Sequence, residues 1–300
     1  PPIRTQATDS LRRASLIHRT EAFLLESLTS GYILTDIYQA LDLAMERWRA
    51  IGSLPEAAPG STLRFAGSHD MVINALARGI GEIIPAAAGI IPGAALQINF
   101  CGSLGGLIAL AEGKAEIAGC HLLDAESNSY NLPFIQRVLP GKETLLIRLA
   151  HRRLGMITAP GNPHGLHGLA DLAQANLRFV NRQSGSGTRV WLDNELKRLQ
   201  IDSRSIPGYS DERLTHSDVA RAVAEGEADC GLGLEASAFA YRLGFILLAN
   251  ECYDLAMLAS TAGQPTVKAL LDWLKSAEAK AFVATFPGYE NCETGAIQPT

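Results

Sequence analysis

The segment FVNRQSGSGTR, residues 179–189, places many hydrogen-bond donors directly after an apolar run. The first backbone N–H groups of a following helix have no intrahelical acceptors, and together with the helix dipole they favour an anion. Serine and threonine hydroxyls add donors, Arg182 or Arg189 can add a charge-assisted contact, and glycine lets a ligand approach the backbone. Capping a helix needs only one such residue. The segment therefore predicts a site for an anion or another small ligand.

Three common motifs are absent from this segment. No Lys-Ser/Thr pair follows Gly187, as a P-loop requires, and Val190 stands where a GxGxxG dinucleotide motif needs its last glycine. Ser184 and Thr188 replace the two glycines of a GxSxG hydrolase motif around Ser186. These absences weaken the nucleotide and serine-hydrolase interpretations.

Three other turns have a related composition: GSHD at 67–70, GSLGG at 102–106 and TH at 215–216. Each of them alone is explained by helix capping. Ser68, His69 and Asp70 are adjacent in sequence, so their side chains diverge and cannot form a catalytic relay. We find no nucleophile–base pair in the sequence. We therefore expect a binding protein and not an enzyme, and we assign it no cofactor.

The elements that carry these turns follow an α/β pattern. Residues 63–79, 96–113 and 177–199 each predict a strand, a polar turn and a helix. Each turn lies at the carboxyl end of a strand, the edge at which open α/β sheets bind ligands. The segments ALAEGKAEIAG (109–119) and AVAEGEADCGL (222–232) match in register, each with a glycine that can cap a helix in the left-handed conformation. This internal repeat predicts two lobes of similar build.

Composition narrows the function classes. A net charge of −5 argues against a chain-wide nucleic-acid surface, and no apolar run approaches the roughly 20 residues of a membrane helix. The five cysteines lack CxxC spacing, and His164 and His167 have no partner at metal-site spacing, so no metal site is predicted. Scattered cysteines in apolar surroundings favour the cytoplasm. A periplasmic location holds instead if a signal peptide was removed.

Several segments together carry a family resemblance. In chain order they are GSLGGLIALAEGKAEIAG, NLPFIQRVLPG, LGMITAPGNPHGL, LRFVNRQSGSGTR, THSDVARAVAEGEADCGLG and FPGYENCETG. They resemble the periplasmic-binding-protein-like family, in particular its molybdate/tungstate-type members, over about residues 61–290. The resemblance implies a type II fold, with two α/β lobes, two crossing strands and a ligand cleft between the lobes. This agrees with the internal repeat.

The resemblance also implies which residues line the cleft. The first lobe would contribute Ser68, His69, Asp70, Ser103 and Leu104, and the second Arg182, Ser184, Ser186, Gly187, Thr188, Thr215 and His216. Arg182 with Ser186-Gly187-Thr188 matches the arginine and the Ser-Gly-Thr of tungstate-binding relatives.

The predicted domains are residues 61–122 with 250–300 for lobe 1 and 123–249 for lobe 2. Residues 9–51 predict helices with a break at Thr29-Ser30-Gly31. In the family this domain commonly follows a DNA-binding helix-turn-helix, but Leu41 or Asp42 stands where that motif has a glycine. Residues 1–60 therefore predict either a dimerising helical pair, which gives a homodimer, or a degraded helix-turn-helix. Contact with DNA is expected only through a missing or degraded N-terminal region.

The expected function is the non-catalytic binding or sensing of a small anionic ligand, as the sensor module of a regulatory protein. The ligand would be a molybdate- or tungstate-like oxyanion or a small carboxylate. Two alternatives stay open. One is the substrate-binding receptor of an ABC transporter, against which the missing signal segment argues. The other is an enzyme or accessory protein of molybdenum-cofactor metabolism that uses the same cleft.

Overall fold

The computed structural model describes residues 6–41, 62–83, 95–124, 126–174 and 176–298. The chain divides into two compact units, residues 1–50 and 51–300. In the first unit, α1 spans Gln6–Thr29 and α2 is helical over 34–41. The predicted break is confirmed, because the chain turns at Ser30 and Gly31. Residues 42–51 of the predicted second helix lie outside the described residues.

The second unit is built on one ten-stranded sheet. Its strands are β1 (Thr62–Gly67), β2 (Ala95–Phe100), β3 (Ile117–Cys120), β6 (Thr144–Thr158), β7 (Phe179–Arg182), β8 (Glu212–Arg213), β9 (Cys230–Leu234), β10 (Gly244–Leu258), β11 (Tyr289–Glu290) and β12 (Ile297–Gln298). The order is β2-β1-β3-β10-β6-β9-β7-β8, with β11 and β12 also paired to β6. A separate two-stranded sheet joins β4 (Leu123–Asp124) to β5 (Ser129–Tyr130).

Helices pack against this sheet. They are α3 (Met71–Ile83), α4 (Gly102–Ala111), α5 (Leu132–Val138), α6 (Gly187–Arg198), α7 (His216–Ala224), α8 (Glu235–Ala240), α9 (Pro265–Leu274) and α10 (Ala277–Val283). The three predicted strand–turn–helix units are confirmed as β1–α3, β2–α4 and β7–α6. Among the described residues, no helix is both long and apolar enough to cross a membrane.

The sheet joins two α/β lobes, as the sequence predicts. Strands β1, β2 and β3 run parallel in the first lobe, and β7, β8 and β9 run parallel in the second. Between them, β6 and β10 pair antiparallel along fifteen residues each. Strand β10 contacts β3, and β6 contacts β9, so these two long strands connect the lobes.

The internal repeat corresponds to two equivalent helix ends. Helix α4 is followed by Gly113 at φ +72°, and α7 is followed by Gly226 at φ +73°. Both glycines adopt the left-handed conformation that ends a helix. After each glycine the chain enters a buried strand, β3 in the first case and β9 in the second. The match between residues 109–119 and 222–232 therefore reflects the same local structure in the two lobes.

The exact lobe limits stay a prediction. Helix α5 lies in the predicted second lobe, at 123–249, but its Ile135 packs in one apolar cluster with Leu107 and Leu110 of α4. Leu146, near the start of β6, belongs to the same cluster. This packing favours a limit inside β6 over the predicted limit after residue 122.

Candidate ligand-binding site

Four helices begin at the carboxyl edge of the sheet, at the turns that the sequence predicts. They are α3 after residues 67–70, α4 at 102–106, α6 at 184–188 and α7 at 215–216. Turns from opposite lobes touch: a Cβ on Gly102 would lie 2.9 Å from the carbonyl oxygen of Gly185. The rings of His69 and His216 lie 5.8 Å apart, centroid to centroid. The structure thus brings the four turns together between the lobes.

Arg182 ends β7 at this junction and is completely buried. Its Nε donates to the carbonyl of Arg213 at 3.3 Å, and its Nη2 donates to that of Leu214 at 2.8 Å. Its Nη1 has no partner among the described residues. Burial, followed by the charge of Arg152, lowers the pKa of Arg182 to about 10, so the guanidinium remains cationic at neutral pH.

Arg182 differs from the other buried arginines of the described residues in its ion pairs. Of the three buried arginines in the described part of the chain, Arg148 pairs with Asp254 and Glu293, and Arg152 pairs with Asp70 and Glu251. No such ion pair is formed by Arg182 within the described residues. A buried charge without a counter-ion is costly, so this guanidinium is suited to an anionic ligand.

Further polar atoms are buried and unpaired near Arg182. Within the described residues, Thr188 Oγ1, His69 Nδ1 and both ring nitrogens of His216 have no hydrogen-bond partner. Buried polar groups are paired in the large majority of cases, so this grouping is unusual. Because these atoms come from β1–α3, α6 and α7, the unpaired set spans both lobes.

The two histidines are held neutral. Burial, with help from the charges of Arg182 and Arg152, lowers the pKa of His69 to about 3. The same causes lower the pKa of His216 well below its ordinary value. A neutral imidazole offers one donor and one acceptor. Arg182 is therefore the cation of this group.

Two serines retain a donor for a ligand. Ser186 caps α6 by accepting from the backbone N–H of Arg189 at 3.2 Å, and Ser103 Oγ accepts from the backbone N–H of His121 at 3.2 Å. In both cases the hydroxyl acts as an acceptor, so its own proton remains available. Helix α4 has no side-chain cap, and its first N–H groups therefore add further donors.

Four of the predicted ligand residues are placed differently from the rest. The Asp70 carboxylate already accepts from Ile73 N, Arg152 and Tyr289, and Thr215 exchanges hydrogen bonds with Asp218 in a capping box. Ser184 is exposed, and Leu104 packs against an apolar cluster. We therefore leave these four out of the proposed site. Ser68, His69, Ser103, Arg182, Ser186, Gly187, Thr188 and His216 are all buried and stay candidates.

Sequence reasoning missed a second set of buried polar residues. The Arg152 guanidinium lies 4.1 Å over the ring of Tyr253 and pairs with Asp70 and Glu251. The His121 ring lies between Ser68 and Glu251. The available signal was the presence of charges inside the apolar strands LAHRRLGM and LLANECYDL.

A cavity of about 390 Å³ opens beside the buried group. Its lining comes from both lobes and consists of His69, Met71, Asn74, Ala75, Arg78, Phe100, Thr215, Ser217, Asp218, Tyr241 and Phe286. Its volume falls within the range of small-molecule sites, roughly 300–1,000 Å³. Within the described residues, no group of three or more His, Cys, Asp or Glu could hold a metal ion.

The family of the chain follows from comparison with known proteins. Residues 86–275 match the model of the PBP superfamily domain, where PBP denotes the periplasmic binding proteins. The chain belongs to this superfamily. One relative, the uncharacterized protein YvgK of Bacillus subtilis (strain 168), is 37% identical over 199 residues. The match covers 66% of this chain and 64% of YvgK, so the chain spans slightly less than two thirds of that relative's length.

Solved structures share the PBP fold at low identity. A phosphate ABC transporter substrate-binding protein with bound phosphate, from Clostridium perfringens, has a TM-score of 0.53 and 14% identity, over 76% of this chain and 98% of that one. The regulatory domain of the LysR family regulator NMB2055 (MetR) from N. meningitidis has a TM-score of 0.51 and 13% identity, over 76% and 97%. At these identities the likeness shows the two-lobed fold alone.

Proposed function

We propose that this protein reversibly binds a small anionic ligand between its two lobes and that it is not an enzyme. The observation that carries the proposal is Arg182, a buried cation whose Nη1 is unpaired and which forms no carboxylate ion pair within the described residues. The unpaired Thr188 and His216 and the free protons of Ser103 and Ser186 supply the neutral donors that an oxyanion or carboxylate accepts.

The binding unit acts in this proposal as the sensor module of a regulatory protein. A helical unit precedes it in the chain, and a regulatory domain and a transport receptor are both known with this fold. Sensing and transport both begin with the same binding step. A test of anion binding therefore applies to both the sensor and the transport role. Titration with several inorganic and organic anions identifies the ligand.

Calorimetric titration of protein freed of ligand by denaturation and refolding tests the proposal. The panel contains phosphate, sulfate, molybdate, tungstate and small carboxylates. We expect heat from at least one of them. Arg182→Met removes the guanidinium and should weaken that binding by about 30-fold or more, because truncating one partner of a buried charge pair costs about 2–5 kcal/mol.

The matched control is Arg198→Met, at the end of helix α6, where the side chain is exposed and paired with Glu195. It should bind as the native protein does. Absence of heat with every compound, in protein that remains folded, would rule out the anion site. Equal affinity of the Arg182 and Arg198 variants would remove Arg182 from it.

A further inference from the structure

A buried row of hydrogen bonds runs from the first lobe to strand β10. Ser68 Oγ lies 2.7 Å from His121 Nε2, and His121 Nδ1 lies 2.8 Å from Glu251 Oε2. The other oxygen of Glu251 accepts from the Arg152 guanidinium. All four side chains are almost completely buried, so each proton in the row has a defined place.

The proton positions follow from the two ends of the row. Glu251 is paired with Arg152 and is therefore ionised: burial acts to raise its pKa, but the charge of Arg152 and the hydrogen bonds from Arg152 and His121 lower it. An ionised carboxylate only accepts, so His121 Nδ1 must carry the hydrogen between them. Burial lowers the pKa of His121 and keeps the ring neutral, which leaves Nε2 without a hydrogen. Ser68 must then donate its hydroxyl proton to Nε2.

The groups around His121 support this assignment. The two nearby cations, Arg152 and Arg182, oppose a positive charge on the ring, and Glu251 is the anion that faces it. The phenol of Tyr253 stacks 5.8 Å from the ring and donates to the backbone carbonyl of Ser68. The side chain of Ser103 accepts from the backbone of His121 and leaves the ring free.

The row lies against the turn that carries the anion donors. A Cβ on Gly187 would lie 2.6 Å from Cε1 of His121, so the start of α6 packs directly on this ring. Ser68 immediately precedes His69, whose Nδ1 is unpaired within the described residues. The His121 ring therefore contacts both Ser68, at the first-lobe strand end, and the start of α6.

We propose that His121 and Glu251 fix Ser68 Oγ as a hydrogen-bond acceptor in the cleft, so that the protein selects an anion that still carries an O–H or N–H donor. The inference rests on the proposed anion site and names the class of ligand for it. Ser68 donates its proton to His121, and its lone pairs are left for the ligand. Arg182, Thr188, Ser103 and Ser186 bind the ligand's anionic oxygens.

This arrangement discriminates between ligands of equal shape. Near pH 8, phosphate is mainly the dianion with one remaining O–H, whereas sulfate is a dianion of the same tetrahedral shape with none. Phosphate can donate to Ser68, but sulfate would place an oxygen lone pair against it. Molybdate and tungstate are also fully deprotonated and share the mismatch. For organic anions, lactate and propionate form the corresponding pair, with and without a hydroxyl donor.

The test is calorimetry of the ligand-free protein at about pH 8 with phosphate, sulfate, molybdate, lactate and propionate. The two pairs to compare are phosphate with sulfate and lactate with propionate. In the pair that binds better, we expect the anion with a hydroxyl donor to bind about 10-fold or more tightly than the other, because one mismatched buried hydrogen bond has an effect of this size. Ser68→Ala should reduce the ratio towards one. Ser68→Thr keeps the hydroxyl and should preserve the preference, and the exposed Ser205→Ala serves as the control.

The outcomes separate this inference from the proposed function. The inference would be overturned if, in the native protein, sulfate or molybdate bound as tightly as phosphate and propionate bound as tightly as lactate. That result would not contradict the proposed anion site. An unchanged ratio in a folded Ser68→Ala protein would also overturn it. Absence of binding by every anion would contradict both.

A second measurement is independent of the variants. Nitrogen-15 chemical shifts of the His121 ring in the native protein report its tautomer, and we expect hydrogen on Nδ1 and none on Nε2. A ring with hydrogen on both nitrogens would donate from Nε2 to Ser68 Oγ, leave the serine proton for the ligand and contradict the inference. Covalent labelling of Ser68 by a fluorophosphonate would show that the hydroxyl is a nucleophile and would contradict the proposed non-catalytic function.

Discussion

At the residue scale, the site depends on how two neighbouring arginines share the available carboxylates. Arg152 forms ion pairs with both Asp70 and Glu251 and packs over the Tyr253 ring, so carboxylates of the protein balance its charge. Among the described residues, Arg182 donates to two backbone carbonyls and forms no ion pair with a carboxylate. In the proposed site, this buried positive charge is the partner of the anionic ligand, and the neutral histidines beside it do not add to that charge.

The neutral histidines predict a defined loss of stability in acid. A histidine whose folded pKa lies below its ordinary 6.5 is protonated first in the unfolded chain. The stabilisation from each neutral histidine is then fully present above about pH 6.5. As the pH decreases from there towards the folded pKa, the free energy of unfolding falls by about 1.4 kcal/mol per pH unit for each histidine. His216→Gln should remove the contribution of one histidine from this pH dependence between about pH 6 and 5.

Urea unfolding at a series of pH values measures this slope. The range lies above the ordinary pKa of the glutamates, so Glu251 does not contribute to it. His167→Gln, at an exposed loop residue, is the control. Identical slopes in the native protein and the His216 variant would show that His216 is charged in the folded state.

At the scale of elements, the site depends on the close approach of α4 and α6. Gly102, at φ +82°, starts α4, and a Cβ there would meet the backbone of Gly185 and Ser186. Gly187 starts α6 and has no room for a Cβ beside His121. These glycines let the two donor-bearing helix starts lie against each other across the lobes.

Gly102→Ala should therefore weaken anion binding. Its matched control is Gly113→Ala at the other end of α4, where φ is +72° but nothing lies within 4 Å of the added Cβ. Both substitutions strain a left-handed residue and should lower the free energy of unfolding by about 1–2 kcal/mol. Only Gly102→Ala also separates the lobes, so calorimetry should show weaker binding for it alone. Equal affinities would show that this contact is not part of the binding state.

These elements were predictable from sequence because their signals are local. The strand–turn–helix units and the Glu-Gly helix ends each lie within about 25 consecutive residues, and their apolar runs, polar turns and glycines follow directly from backbone chemistry. Arg182 and the Ser186–Thr188 turn were identified for the same reason. The commitment of Asp70 to Arg152 and Tyr289 was not predictable, since those partners lie 82 and 219 residues away.

At the scale of the whole second unit, strands β6 and β10 both connect the lobes and contribute to the site. Arg152 lies on β6, and Glu251 and Tyr253 lie on β10. His121 lies 53 residues from Ser68 and 130 from Glu251, so the row of hydrogen bonds exists only in the folded molecule. Sequence reasoning therefore missed it. Because the site draws on both lobes and on the strands that join them, ligand binding should favour the closed arrangement of the lobes.

The most direct test of the anion site is a crystal structure of the protein with arsenate, located by its anomalous scattering. Arsenate has the shape, charge and remaining O–H of phosphate, so it suits both the anion donors and Ser68. We predict an arsenic peak whose oxygens lie within hydrogen-bond distance, about 3 Å, of Arg182 Nη1 and Thr188 Oγ1. A fully occupied arsenate elsewhere, with Arg182 Nη1 still unpaired, would contradict the account.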